Sequence, residues 1–398
     1  MIETPFVFTT DLEKDLLNDK KSRGILKCVN IADIHFGSLD PQYQYTTLKE
    51  QFISVISKLD FDILSINGDL FRTKYMSNSA PVFYATLFVS DCVELCKTKD
   101  ATLVLVGGTL DHDAGQLRLF HHYINDPTID IRIVETTRFE YIKGAKVLII
   151  PEEYDKGKEY YDNFLKYSGA YDLCFMHGTY RGSVHGTDKG TLDCRVPVFH
   201  IDDFDYCTGA IFSGHVHKPG VFGGYFHYCG SPYRWEFGQE EDKGYFISVH
   251  DLDSGGFVHN FCKIESYRFD TIHIDDLLNT DPKKVIDYVL KFQQDYGSEY
   301  IRLMISQSPN MDALANLELI KKYYSKNNKV TVDTKYIRKE RALIEAKTED
   351  FMERNSEYSF IMDKTLKPHE ILTKYINLKK GYIYITPEEL LDLLNNDI

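Results

Sequence analysis

The sequence contains no run of 18 apolar residues, so a membrane-spanning helix is not expected. Its first twenty residues hold Glu3, Asp11, Glu13, Asp15 and Asp19 and lack the basic-then-apolar order of a secretory leader. None of its eight cysteines (Cys28, Cys92, Cys96, Cys174, Cys194, Cys207, Cys229 and Cys262) forms a C-x-x-C pair, and most sit inside apolar runs. That usage fits reduced, buried thiols in a cytoplasmic protein rather than a disulfide framework or a zinc knuckle. There is no internal repeat and no low-complexity tract. Positive charge is also short: 46 Lys and Arg face 60 Asp and Glu, a formal charge of −14. The balance argues against a simple DNA-coating protein. It leaves nucleic acid open as a substrate where metal ions or a local basic surface offset the repulsion.

At 398 residues, 43% hydrophobic and 27% charged, with 28 Tyr and 25 Phe, the chain has ample material for a core. Residues 1–24 form an N-terminal extension. Ile25–Ala32, Phe61–Asn67 and Thr102–Val106 read as buried strands. Between them, Leu48, Phe52, Val55, Ile56 and Leu59, then Leu87, Phe88, Cys92, Leu95 and Cys96, fall at helical spacing. This alternation predicts parallel strand pairs with helices on the sheet faces. Further strands are expected at Ile131–Val134, Val147–Ile150, Leu173–Met176, Ala210–Phe212, Tyr225–Tyr228 and Tyr245–Val249. The expected class is α/β (α+β): a β-sandwich flanked by helices over 25–262, then a small α+β unit over 263–347 and a linker over 348–367.

Residues 368–398 suggest two short helices. Pro368 can open one with Ile371, Leu372, Tyr375 and Ile376 on one face. Thr386-Pro-Glu-Glu389 matches a capping box ahead of Leu390, Leu391, Leu393 and Leu394. Such helices either dock on their own domain or grip another protein.

Five segments carry the chemistry: Asp33-Ile-His35, Gly68-Asp69, Asp111-His-Asp113, His177-Gly178 and Gly214-His-Val-His217. Each follows an apolar strand and opens a loop. Loops at the carboxyl ends of parallel strands converge on one crevice, so their carboxylates and imidazoles are expected to meet there. Mixed oxygen and nitrogen donors suit Mn²⁺, Fe²⁺ or Zn²⁺ better than Ca²⁺.

In this order the five segments resemble the calcineurin-like metallophosphoesterase family. Asp33-Ile-His-Phe-Gly37, Gly68-Asp-Leu-Phe71 and Gly230-Ser-Pro232 followed by Lys243-Gly244 are similar to the SbcD-type nuclease subunits of DNA repair and recombination, those of large bacteriophages in particular. The resemblance implies two divalent ions, Mn²⁺ foremost with Mg²⁺ as the alternative. Asp33, His35 and His217 would hold the first, Asp69 would bridge, and His177 and His215 would hold the second. His112 falls on the catalytic histidine, with Asp113 beside it to fix its tautomer. The family's Gly-Asn-His-Asp is replaced here by Gly107-Gly-Thr-Leu-Asp-His-Asp113, which puts Asp111 at the amide ligand's place. Arg72 stands where many relatives carry a second histidine; as a permanent cation it could contact a DNA phosphate but cannot move a proton.

The resemblance further implies a 3′-to-5′ exonuclease on duplex DNA and an endonuclease on single strands. It implies partnership with an SbcC-type SMC-like ATPase through the tail residues Ile371, Leu372, Tyr375, Ile376, Leu390, Leu391 and Leu394, in a homodimer within a heterotetramer. The cytoplasm of a bacterium or phage-infected host would be its place. For DNA contact, residues 320–347 hold nine Lys or Arg against three acidic residues, including Lys321, Lys322, Lys335, Arg338 and Lys339. That strip either follows a phosphate backbone or is a solvated surface. Two other readings stay open: another phosphodiesterase or phosphatase of the same superfamily, and a weakly active subunit that holds DNA ends.

Overall fold

The computed structural model describes residues 24–333 apart from 114, 182–195, 197, 276, 279–280, 306–310 and 328, together with 371 and 374. The expected linker and the tail helices lie outside the described residues, as do Cys194, Lys335, Arg338 and Lys339.

The first strands are β1 (Ile25–Ile31), β2 (Ile63–Asn67), β3 (Thr102–Val106) and β4 (Ile131–Val134). They are followed by β5 (Arg138–Ile142), β6 (Ala145–Ile150), β7 (Leu173–His177) and the short β8 (Thr179–Tyr180) and β9 (Val198–Phe199). Next come β10 (Ile211–Gly214), β11 (Gly220–Phe222), β12 (Phe226–Tyr228), β13 (Lys243–Asp251) and β14 (Phe257–Ile264). Two six-stranded sheets result, ordered β14-β13-β1-β2-β3-β4 and β11-β12-β10-β7-β6-β5. Strands β1 to β4 run parallel, and so do β6, β7, β10 and β12. The class is α/β, as the alternation of elements predicts.

Each central strand is buried on both faces, which is why it reads as a continuous apolar run. In β1, Leu26 and Cys28 face the second sheet while Val29 and Ile31 face the helices, as the two-residue period requires. Between the sheets, Ile63, Val104 and Val106 meet Val147, Ile149, Leu173, Phe175 and Phe212. The outer face of the first sheet packs on helix Pro41–Leu48 and helix Ala80–Lys99 through Leu48, Phe52, Phe88, Val89 and Cys92. The outer face of the second packs on helix Lys158–Leu165 through Tyr161 and Leu165. Helix Pro41–Leu48 continues through a π turn, Lys49–Ile53, to Ser54–Ile56 within the span expected to be helical.

Besides the two-residue β8 and β9, three strands were not expected: β5, β11 and β14. All lie at sheet edges, where one neighbour is missing and burial is incomplete, so no apolar run marks them. Five cysteines are buried, Cys207 and Cys262 are half-buried, and the described ones are all free.

The chain divides into two compact units. The first holds residues up to Thr271 together with Val289–Arg302, the second Ile272–Tyr288 and residues from Leu303 onward. Strands β15 (Phe269–His273), β16 (Tyr300–Met304) and β17 (Val330–Asp333) pair in that order, accompanied by helices Pro282–Tyr296 and Met311–Tyr324. In the second unit Ile274, Leu278, Val285, Leu303, Leu317, Ile320 and Val330 are buried. No described helix is long and apolar enough to cross a membrane.

A histidine group lies between strands β10, β12, β13 and β14. Buried His227 donates from Nδ1 to the carbonyls of Ile211 and Tyr225, at 3.2 and 3.0 Å, and its Nε2 faces His259 Nδ1 at 3.1 Å. His250 reaches Ser248 Oγ at 2.8 Å. Burial pushes His227 and His250 down to about 3. Below its ordinary pKa near 6.5 each would take a proton in the unfolded chain and not in the folded one, so stability falls as pH drops from about 6.5 toward 3. Urea unfolding of His227→Gln between pH 7.5 and 4.5 is expected to show a shallower acid slope than the parent, by up to about 1.4 kcal/mol per pH unit. Equal slopes would show that His227 does not contribute.

Candidate metal centre

Six parallel strands, three from each sheet, end at one place. Asp33 follows β1, Asp69 follows β2, His112 lies in the loop after β3, Glu152 follows β6, His177 ends β7, and His215 and His217 follow β10. Their donor atoms fall into four overlapping groups: Asp33, His35 and His217; Glu152, His177 and His215; Asp33, Asp69 and His177; and His35, Asp69 and His112. Within each group the atoms lie within 4.8 Å of one another. Asp69 is shared by two groups, with Oδ2 at 3.4 Å from His177 Nε2 and 3.7 Å from His35 Nε2.

The backbone is strained to bring them together. Asp33, His35, Asp69 and His215 all have positive φ, between 50° and 85°. Few non-glycine residues adopt this region, Asp and His more readily than most. Gly68 also has positive φ, and a Cβ there would sit 2.1 Å from His177 Nδ1. At Gly108 a Cβ would sit 2.2 Å from Asp69 Oδ1. These two close approaches account for glycine at both positions.

Buried amides clamp the loops. Gln44 donates to the His35 carbonyl at 3.0 Å and accepts from Gly37 N–H at 2.7 Å, while also contacting Tyr233. Gln116 accepts from Tyr75 N–H at 2.8 Å and donates to the carbonyls of Thr73 and His112. Lys243 is buried and donates to the His217 carbonyl at 2.7 Å and to Glu241 at 2.6 Å.

Tautomers follow from the carbonyls. Nδ1 of His35 and Nδ1 of His112 both meet the Phe71 carbonyl, at 3.3 and 3.1 Å, and His177 Nδ1 meets the Asn67 carbonyl at 2.9 Å. A carbonyl only accepts, so each Nδ1 carries hydrogen and each Nε2 is left for another partner. Burial lowers His35 to about 3 and holds His217 well below its ordinary range. Burial opposes charge on His177, but Asp69, Asp33 and Glu152 outweigh it and hold its pKa high. Burial pushes Asp33 up to about 7, with Asp69 adding to the rise and His177 opposing it. For Asp69 burial also disfavours charge, yet His177, His35 and His112 hold it well below the carboxylate range.

This donor set fits a pair of divalent cations. Asp33 Oδ2 is buried without a hydrogen-bond partner, while its Oδ1 accepts from His215 N–H at 2.9 Å. His35 Nε2 and His217 Nε2 stand 3.0 Å apart, a facing pair that a shared cation would accommodate. Three carboxylates mixed with five imidazoles suit Mn²⁺, Fe²⁺ or Zn²⁺.

Asp33, His35, Asp69, His177, His215, His217 and His112 thus come together. Asp111 does not: it is exposed on a tight turn and belongs to none of the groups, which corrects its expected ligation. Counting back from His112 selects Asp111, whereas counting forward from Gly108 selects Thr109. The structure puts Thr109 at the site, its N–H donating to Asp69 Oδ1 at 2.7 Å and its hydroxyl 3.4 Å from His177 Nε2.

Asp113 is corrected as well. It accepts from the N–H groups of Leu70, Phe71 and Gly108 and fixes those loops, while the Phe71 carbonyl orients His112. Glu152 was missed, although it stands two residues past a strand just as Asp33 and Asp69 do. Its Oε2 lies 3.0 Å from His215 Nδ1 and 3.8 Å from His177 Nε2. Arg72 is exposed with its guanidinium 4.8 Å from the Trp235 ring centre. Lys321 and Lys322 belong to the second unit, Lys321 bonded to Glu318 at 2.9 Å and Lys322 exposed.

Fold and site together define an α/β protein whose β-sandwich presents a carboxylate–imidazole cage at the ends of its parallel strands. No family model and no curated protein matches the chain. Among solved structures it is similar to the nuclease MPE of Pseudomonas putida, at 17% identity over 50% of this chain and 66% of that one, with a TM-score of 0.22. It is also similar to a cold-active protein-tyrosine phosphatase of a psychrophilic Shewanella species, at 14% identity over 60% and 81% of the two chains, with a TM-score of 0.28. These are distant likenesses.

Trp235, the chain's one tryptophan, has its ring centre 5.5 Å from that of His35 and 5.1 Å from that of His217. Paramagnetic Mn²⁺ is therefore expected to quench its emission, and Asp69→Asn to weaken the titration at least about tenfold. Calorimetry on Glu152→Gln should show loss of one of two bound ions. A parent protein whose emission ignores Mn²⁺ would refute the site. Gln44→Ala leaves buried loop groups unpaired, and urea unfolding should show a loss of about 1–3 kcal/mol; unchanged stability would mean the clamp is dispensable.

Proposed function

We propose that this chain is a two-metal phosphodiesterase acting on DNA, a nuclease subunit of the SbcD type. The observation that carries the reading is the place of Asp69 between two donor sets, its Oδ2 lying 3.7 Å from His35 Nε2 and 3.4 Å from His177 Nε2. Asp33, His35 and His217 would hold one ion, and Glu152, His177 and His215 the other. When bound, such a pair supplies charge that neutralises phosphate oxygens and acidifies a water molecule. The chain itself bears a net charge of −14, so an anionic substrate needs that compensation at the site.

The protein's own contribution is positioning and proton control. Asp33, Asp69 and Glu152 supply fixed anionic donors from three separate strands, and the Gln44 and Gln116 clamps keep their loops from relaxing apart. His112 has its Nδ1 hydrogen tied to the Phe71 carbonyl, leaving Nε2 on the side of Asp69 and His35. From there a protonated Nε2 can donate to the departing sugar oxygen, and a neutral one can accept from it in reverse. Asp113 acts indirectly by holding the backbone of Leu70 and Phe71.

The DNA substrate, the preference for Mn²⁺ and an SbcC-type ATPase partner are supported by the motif order and by the basic composition of 320–347. In this reading the α+β unit contacts DNA and residues 368–398 bind the ATPase.

Purified protein is expected to degrade labelled duplex and hairpin DNA in Mn²⁺ and to stop on addition of EDTA. His112→Gln should lower the rate by about 10²–10⁴-fold while Mn²⁺ still quenches Trp235. Turnover of a simple phosphodiester without DNA cleavage would replace the nuclease reading by that of a small-molecule phosphodiesterase, and full-rate cleavage by His112→Gln would remove its assigned role.

A further inference from the structure

Beside the cage sits a permanent cation whose role the phosphodiesterase chemistry does not absorb. Arg72 directly follows Phe71, whose carbonyl orients His35 and His112, and its own N–H donates to the Phe36 carbonyl at 3.1 Å. Its backbone is therefore fixed to the ligand loops. The guanidinium lies against Trp235, 4.8 Å from the ring centre. Trp235 in turn packs edgewise against His35 and His217. Buried Gln239 accepts from the backbone N–H of Trp235 at 3.2 Å, and its Nε2 lies 3.4 Å from His217 Nδ1.

One aromatic ring thus contacts both the guanidinium and two of the donors. Among the described residues no carboxylate pairs with Arg72, whereas Arg132, Arg138, Arg234 and Arg268 each have an acidic partner. A guanidinium stacked on an aromatic face keeps its N–H edge free for a planar, bidentate acceptor and loses little freedom on binding it. Trp235 is packed by Arg72, His35 and His217, so it serves as a support for the cation rather than as a platform for a base.

We infer that Arg72, seated on Trp235, is a specificity-determining residue that binds a second phosphate, the one adjacent to the phosphate being cleaved. The inference rests on the phosphodiesterase reading and narrows it: the preferred substrate is a polynucleotide strand, which carries such a neighbour, and not an isolated diester. Trp235→Leu removes the support and weakens the same contact.

The test compares parent, Arg72→Gln and Arg72→Lys on a short oligonucleotide and on bis(p-nitrophenyl) phosphate in Mn²⁺, with binding of a labelled oligonucleotide followed separately by fluorescence anisotropy in EDTA across a salt series. Arg72→Gln should lose at least about tenfold more kcat/KM on the oligonucleotide than on the small diester, chiefly through KM. Its slope of log affinity against log salt should fall by about 1. Arg72→Lys should keep the salt slope and recover only part of KM, because the charge remains while the stacked fork is lost. Equal losses on both substrates, or an unchanged salt slope in Arg72→Gln, would overturn the inference. If the parent cleaves neither substrate, the phosphodiesterase reading falls, and the salt slope of binding alone decides whether Arg72 holds a phosphate.

Discussion

Asp33 and Asp69 are both buried within reach of His177, in surroundings that penalise an isolated charge on either. Glu152 adds a third carboxylate, which faces the same His177 Nε2 as Asp69. Like charges so placed repel, and they persist only where imidazoles, backbone N–H groups or cations balance them. Much of the first unit is arranged around that constraint. Six strands bring the donors to one end of the sandwich, and the sheets behind them are packed too tightly to let a single loop withdraw.

The energetic cost is visible in the backbone. A non-glycine residue at positive φ costs of order 1–3 kcal/mol, and four donor residues share that conformation. Their sum is comparable to the net stability of an ordinary domain. Hydrogen bonds from buried Gln44, Gln116 and Lys243 offset part of it by removing the alternatives open to each loop. The Phe71 carbonyl has a double role, setting the tautomer of both His35 and His112 from one atom. Positioning and proton placement therefore depend on the same short segment, Asp69 to Arg72.

What was legible in the amino-acid order has a common cause. Central strands announce themselves because burial on both faces demands uninterrupted apolar residues, as in Ile63–Asn67 and Thr102–Val106. Edge strands such as Arg138–Ile142 and Phe257–Ile264 escape notice because one side faces solvent and tolerates polar residues. Asp33, Asp69, His177, His215 and His217 stand out because each closes an apolar strand and recurs in a known order. Glu152 obeys the same rule yet lies outside the five segments. Gln44 and Gln116 look like ordinary polar residues until their amides are seen buried against loop backbone.

The sequence by itself determined the alternating α/β plan, the two apolar layers and the strand ends at which charged side chains gather, because those depend on local periodicity and burial. Only the tertiary structure decided that Thr109 and not Asp111 reaches the cage, that Glu152 joins it, and that Asp113 braces a backbone instead of a histidine. Such choices turn on the direction a loop takes after its strand. A shift of one residue in a tight turn sends a carboxylate into the interior or out to water, and no spacing rule records which.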